Sequence, residues 1–147
     1  MSIRYPLTVF YDASCPMCAS EMLALKARDR EARLELIDCS APEFDESMLA
    51  GVGINRAELM ARIHARDAHG RWLVALDAIE AAYRAAGLER TARFWGSRRM
   101  RPLLGPLYRW VARRRQALSR LGAGALVRRF IQKPDEGPAS PADESWR

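Results

Sequence analysis

The sequence predicts an α/β domain built on a mixed central sheet, and three observations carry that reading. A β-branched and aromatic run, Leu7-Thr8-Val9-Phe10-Tyr11, is followed by a helical periodicity and then by a second apolar run from Leu34 to Cys39. Two further strand-like runs flank a turn at Asp67-Ala68-His69-Gly70. A second helical stripe, Ile79, Ala82, Tyr83 and Ala86, closes the series.

Each element has its own signal. Leu7–Tyr11 reads as a buried strand that ends in a polar loop. Cys15 and Pro16 stand at a helix start, where proline is favoured because its missing N–H has no partner to lose. Cys18, Met22 and Leu25 then recur at i, i+4 and i+7, and Arg28 and Arg30 suit the negative end of the helix dipole. The strand at Leu34–Cys39 is reached through a helix, so it should run parallel to the first. Residues 42–55 read as a mixed loop with a helical turn at Glu46-Ser47-Met48-Leu49. Ile63 and Trp72 fall in the two strands of a hairpin, with Gly70 in its turn. Asp77 is the expected N-cap of the next helix, with Glu80 three residues on, and Gly87 is its expected stop. Strand, helix, strand, loop, hairpin, helix is the minimal thioredoxin-like order: a βαβ half and a ββα half forming a three-layer sandwich. This domain is placed at residues 5–88, followed by a basic C-terminal helical extension at 89–133 and a disordered tail, rich in Pro, Ser and acid, at 134–147.

A chain of 147 residues can bury a core without disulfides or a structural metal. Three cysteines are too few and too uneven for an extracellular disulfide framework. No secretory leader is visible, and no run approaches the ~20 apolar residues of a membrane span. These features point to the cytoplasm, where a cysteine pair is more often catalytic or metal-binding than structural. The net charge of +6 hides an asymmetry: residues 1–89 carry ten basic and fourteen acidic side chains, residues 90–133 thirteen basic and none acidic. Within that basic block Leu104, Leu107, Tyr108 and Val111 form an apolar stripe, continued by Leu118 and Leu121, with Arg109, Arg113, Arg114 and Arg115 around it. Gly122 and Gly124 interrupt it before Leu126, Val127, Phe130 and Ile131. The favoured reading is a helix docked on the domain with its arginines in water. The alternative is an anionic membrane surface, at the inner face of the membrane, or an acidic partner, met through residues 98–129. Clustered charge would also suit nucleic acid, but no recognised motif supports it and none is expected as a partner.

The chemistry is carried by Cys15-Pro16-Met17-Cys18. A thiol at a helix start sits beside unpaired N–H groups and the positive end of the dipole, which favours the nucleophilic thiolate. One turn later a second thiol can attack the mixed disulfide and release the product. Cys15 is therefore the expected nucleophile and Cys18 the resolving thiol, acting on a disulfide-containing protein or a small thiol, with no cofactor and no metal. The same spacing serves zinc, but two more ligands are needed; Cys39 and His64 are the candidates, and no second C-x-x-C or H-x-x-x-H exists. Asp12, three residues before Cys15, could move a proton, order the loop or simply bond its own turn. Cys39 could be a third redox thiol or a metal ligand, though a small buried apolar role is commoner for a free cysteine. His64 reads as a surface or packing residue of the hairpin, and Trp72 and Tyr83 as core.

At Phe10-Tyr11-Asp12-Ala13-Ser14-Cys15-Pro16-Met17-Cys18 the chain resembles the DCC family of thiol–disulfide oxidoreductases, named for an Asp followed by two cysteines. Leu36-Ile37-Asp38, the stretch from Met60 to Asp67, and Arg101-Pro102-Leu103-Leu104 through Tyr108 are similar as well, so the likeness runs from Leu7 to Arg115. The resemblance implies a thioredoxin-like fold and a redox role. Two positions depart from the pattern it implies. Ala13 stands where members often have Gly, and no proline lies between Pro42 and Pro102 to precede the third strand, a position expected at Met60 or Ala61.

Overall fold

A computed structural model describes residues 3–132. The expected tail at 134–147 and the last residue of the expected extension lie outside the described residues. In chain order the elements are β1 (Leu7–Tyr11), α1 (Pro16–Arg28), β2 (Leu34–Asp38), a 3-10 turn (Glu46–Leu49), α2 (Arg56–Ala61), β3 (His64–Arg66), β4 (Trp72–Val74), α3 (Leu76–Ala85), α4 (Glu89–Gly96), α5 (Arg101–Arg120) and α6 (Ala123–Gln132).

The strands form one sheet in the order β2-β1-β3-β4, the thioredoxin-like order. β1 and β2 are parallel, with Val9 opposite Leu36; β3 is antiparallel to both β1 and β4. Alternation along β1 feeds two cores. Leu7 and Val9 point to one face and pack with Met22 and Leu25 of α1 and Ile79 and Ala82 of α3. Phe10 points to the other face and packs with Cys39, Leu49 and Leu59. Trp72 stacks on Phe10 with ring centroids 5.0 Å apart. Burying both faces of β1 explains why its sequence is almost continuously apolar.

Three local expectations are corrected. The expected order of strand, helix, strand, loop, hairpin, helix has no helix between the loop at 42–55 and the hairpin, where α2 lies; Asn55 caps it and Glu58 completes a reciprocal capping box. Its six residues are too few to show a periodicity. α3 begins earlier than Asp77: its N-cap is Ala75, at φ +55°, with no side-chain cap. β4 ends at Val74, so no loop remains in which Asp77 could cap; its carboxylate pairs instead with Arg101. Met60 and Ala61 belong to the last turn of α2, and Arg62 and Ile63 are the residues that precede β3. Gly70 and Gly87 take up positive φ at the turn and helix stop expected of them, and Ala13 does not, so the missing glycine there costs no strain.

The basic segment is folded onto the sheet domain. Ile131 of α6 is buried in the main core. Gly124 lies against the first turn of α1, where an added Cβ would come 3.1 Å from Ser20 Oγ and 3.2 Å from the Pro16 carbonyl. Gly124→Val should push α6 off α1 and destabilise by about 1–3 kcal/mol, read as a lower urea midpoint at unchanged slope; an unchanged midpoint would show that the contact yields freely. The apolar stripe expected on α5 is divided. Leu104 is buried and Tyr108 packs on the core, whereas Leu107 and Leu121 are 52% and 83% exposed. Arg109, Arg113 and Arg114 face water, and Arg115 turns inward. Among the described residues no helix is long and apolar enough to cross a membrane.

Candidate functional site

The C-terminal ends of β1 and β2 lie side by side and lead into the loop Asp12-Ala13-Ser14. Open α/β sheets characteristically place their sites at such strand ends. β2 braces the loop: Ala13 N donates to Asp38 Oδ1 (3.0 Å) and Ser14 N to Ser40 Oγ (3.2 Å). Burial alone would raise the Asp38 pKa, but the Ser40 hydroxyl and the Ala13 and Ser40 N–H groups hold it below the usual carboxylate range.

The loop delivers Cys15 to the N-cap of α1, with Pro16 in the first turn. Cys15 Sγ accepts from Cys18 N at 3.5 Å and from Cys18 Sγ at 2.9 Å. Both cysteines are free thiols here. Ser119, in the last turn of α5, covers Cys15: its Oγ accepts from Met17 N at 3.1 Å and lies 3.6 Å from Cys15 Sγ. Cys15 is therefore fully buried, while Cys18 is only partly so. Nothing in the spacing of residues 15 and 119 indicates this contact. Burial and the bond to Cys15 both push the Cys18 thiol pKa up.

Asp12 is buried beneath the loop. Its Oδ1 accepts from the amide and the hydroxyl of Ser14, and its Oδ2 pairs with Arg115 Nη2 at 2.9 Å. The same guanidinium donates to the Met60 carbonyl. One arginine on α5 thus ties the cysteine loop to the end of α2. Sequence reasoning placed Arg115 among solvated arginines; its distinguishing signal was its position on the Leu104–Tyr108–Val111 side of the helix.

Cys18 lines a partly open cavity of about 220 Å3 walled largely by α1, α3, α4, α5 and α6. Met17, Met22, Ile63, Trp95, Val111 and Val127 supply much of its lining. Glu21, one turn beyond Cys18, also reaches it and accepts from the Tyr83 hydroxyl at 2.8 Å. Burial pushes the pKa of that carboxyl up, and burial beside Glu21 pushes the Tyr83 phenol up.

Cys39 and His64 do not join the pair. Cys39 is buried with Phe10, Leu49 and Leu59, and burial pushes its thiol up to about 12. His64 is buried in β3, with Nδ1 2.8 Å from the Arg62 carbonyl and its ring edge-on to Trp72. Among the described residues no three His, Cys, Asp or Glu side chains come together to hold a metal ion. Burial lowers the His64 pKa below its ordinary 6.5. The unfolded chain then binds that proton more readily, so the contribution to stability is present above pH 6.5 and is lost as pH falls through 6.5 towards the folded value. Urea midpoints should therefore fall more between pH 7.5 and 5.5 in the wild type than in His64→Phe; equal falls would contradict the assignment.

The comparisons with known proteins add one match. A family model described as DCC1-like thiol-disulfide oxidoreductase matches residues 9–121. That span holds the loop, both cysteines, Arg115 and Ser119. No curated protein and no solved structure matches the chain.

Proposed function

Because the chain belongs to the DCC1-like thiol–disulfide oxidoreductase family, we propose that Cys15 and Cys18 carry out reversible dithiol–disulfide exchange with a thiol or disulfide substrate. The observation that carries this reading is the 2.9 Å separation of the two sulfurs at the start of α1. Closing it to a disulfide bond of about 2.05 Å needs less than an ångström of movement. The Cys18 amide and thiol both donate to Cys15 Sγ, which stands at the N-cap of α1. Cys18 holds the proton in the reduced pair. Asp12 acts as a positioning residue: through Ser14 and Arg115 it fixes the loop that carries Cys15. No cofactor enters the exchange. The test is a single turnover of reduced protein with bis(2-hydroxyethyl) disulfide. One equivalent of disulfide should be consumed per chain, leaving a Cys15–Cys18 bond; a chain that leaves both sulfurs reduced overturns the proposal.

A second reading concerns location rather than chemistry. Leu103, Leu107 and Trp110, three and four residues apart, share one side of α5 and are 67%, 52% and 49% exposed, and Leu121, its C-cap, is 83% exposed. Arg109, Arg113 and Arg114 lie beside them. An apolar stripe flanked by cations suits peripheral contact with an anionic membrane, and self-association through it would bring like charges together. Flotation with anionic vesicles at low salt, lost at high salt, is the expected result; no flotation at low salt removes this reading.

A further inference from the structure

The exchange reading leaves open which sulfur a substrate meets and what kind of substrate fits. The geometry points to Cys18, reached through the cavity between α1, α3 and α5, as the sulfur that engages substrate, and to an uncharged, apolar small thiol or its disulfide as the ligand. This inference rests on the exchange reading and specifies its substrate class.

Access decides the first half. Cys15 has no exposed surface and lies under Ser119, whereas Cys18 forms part of the cavity wall. In the oxidised protein an incoming thiolate in the cavity can bond to Cys18 Sγ. The Cys15–Cys18 bond breaks, and its electron pair leaves on Cys15 Sγ, at the helix start and beside the Ser119 hydroxyl. That position stabilises a departing thiolate, and a stabilised leaving group speeds exchange. A second substrate thiolate then attacks the substrate sulfur of the mixed disulfide. The substrate disulfide is released, and Cys15 and Cys18 end as thiols with the two protons the substrates lost. Run backwards, Cys18 passes its proton to Cys15 Sγ, 2.9 Å away, as it attacks the apolar disulfide; one substrate thiolate leaves and takes up that proton, and Cys15 then attacks Cys18 Sγ, closing the pair and releasing the second substrate thiolate.

Size and polarity decide the second half. An engineered apolar cavity of about 150 Å3 is known to take up benzene. The 220 Å3 here has room for an aromatic ring and a short thiol arm. The charged groups at the wall are already committed: Arg115 faces Asp12 and the Met60 carbonyl, and Glu21 takes the Tyr83 hydroxyl. A ligand bearing charges beyond its reacting sulfur would bring them in without partners and pay for their desolvation.

The probes are benzyl mercaptan and glutathione, offered to the oxidised full-length protein at matched thiolate concentration. After acid quench the adduct is located by peptide mass mapping. Benzyl mercaptan should open the disulfide at least about tenfold faster than glutathione, because burying the ring adds apolar transfer energy. Its adduct should sit on Cys18, and toluene, which cannot react, should slow it in a saturable way. An adduct on Cys15, equal rates for the two thiols, or indifference to toluene overturns the inference while leaving the exchange reading standing. If neither thiol opens the disulfide, both fall together.

Discussion

Cys15→Ser and Cys18→Ser are each expected to lower disulfide exchange turnover by about a thousandfold or more, the scale on which removal of one member of a reacting unit acts. The two variants should fail differently. With Cys15 gone, Cys18 remains on the cavity wall and can form a mixed disulfide that no neighbour resolves, so a stable adduct should accumulate. With Cys18 gone, the remaining sulfur is Cys15, buried beneath Ser119 and without a route to substrate. Adduct formation itself should then be slow. Cys39→Ser should retain full turnover, because that thiol is buried among Phe10, Leu49 and Leu59 and is strongly held in its protonated form. Turnover in Cys15→Ser at the wild-type rate would remove the pair from the chemistry.

Arg115→Met should be the most destabilising single change near the site. The Asp12 side chain is 2% exposed and that of Arg115 18%, and they meet at 2.9 Å. Removing the cation leaves a buried carboxylate without its partner, a loss of about 3–5 kcal/mol. It also frees the Met60 carbonyl and unties α5 from the loop that carries Cys15. Asp12→Asn in the same chain should recover part of the loss, since an amide is far cheaper to bury than an unpaired charge. Chemical denaturation of both variants measures this. If Arg115→Met unfolds at the wild-type midpoint, the ion pair contributes nothing to holding the site together.

Much of this molecule is legible in its sequence because the signals are local. β1 announces itself through Leu7–Tyr11, and the start of α1 through Pro16 after a polar loop. The hairpin is marked by Gly70, whose positive φ lets β3 turn into β4. The cysteine pair is legible for the same reason, since residues one turn apart on a helix must be neighbours. What escaped is what depends on distant partners. Ser119 lies 104 residues from Cys15, and the packing of α5 and α6 against α1 brings it over that sulfur. Arg115 resembles its neighbours in type and differs only in the side of α5 it occupies. α3 starts before Asp77 because β4 runs to Val74 and the helix follows at Leu76; Asp77, a good capping residue by type, falls inside the first turn with its carboxylate on Arg101. The apolar stripe on α5 was seen, but periodicity alone could not tell the side that docks from the side that faces water, since Leu104 and Leu107 differ by less than one turn.

The central claim is that Cys15 and Cys18 form one two-electron redox pair. Equilibrating the protein across a series of glutathione redox buffers, trapping free thiols with iodoacetamide and mapping the peptides tests it most directly. The account expects a single transition in which Cys15 and Cys18 lose their label together and become joined to each other, while Cys39 stays reduced throughout. Cys15 and Cys18 remaining alkylated over the whole series, or a bond from either of them to Cys39, would contradict it.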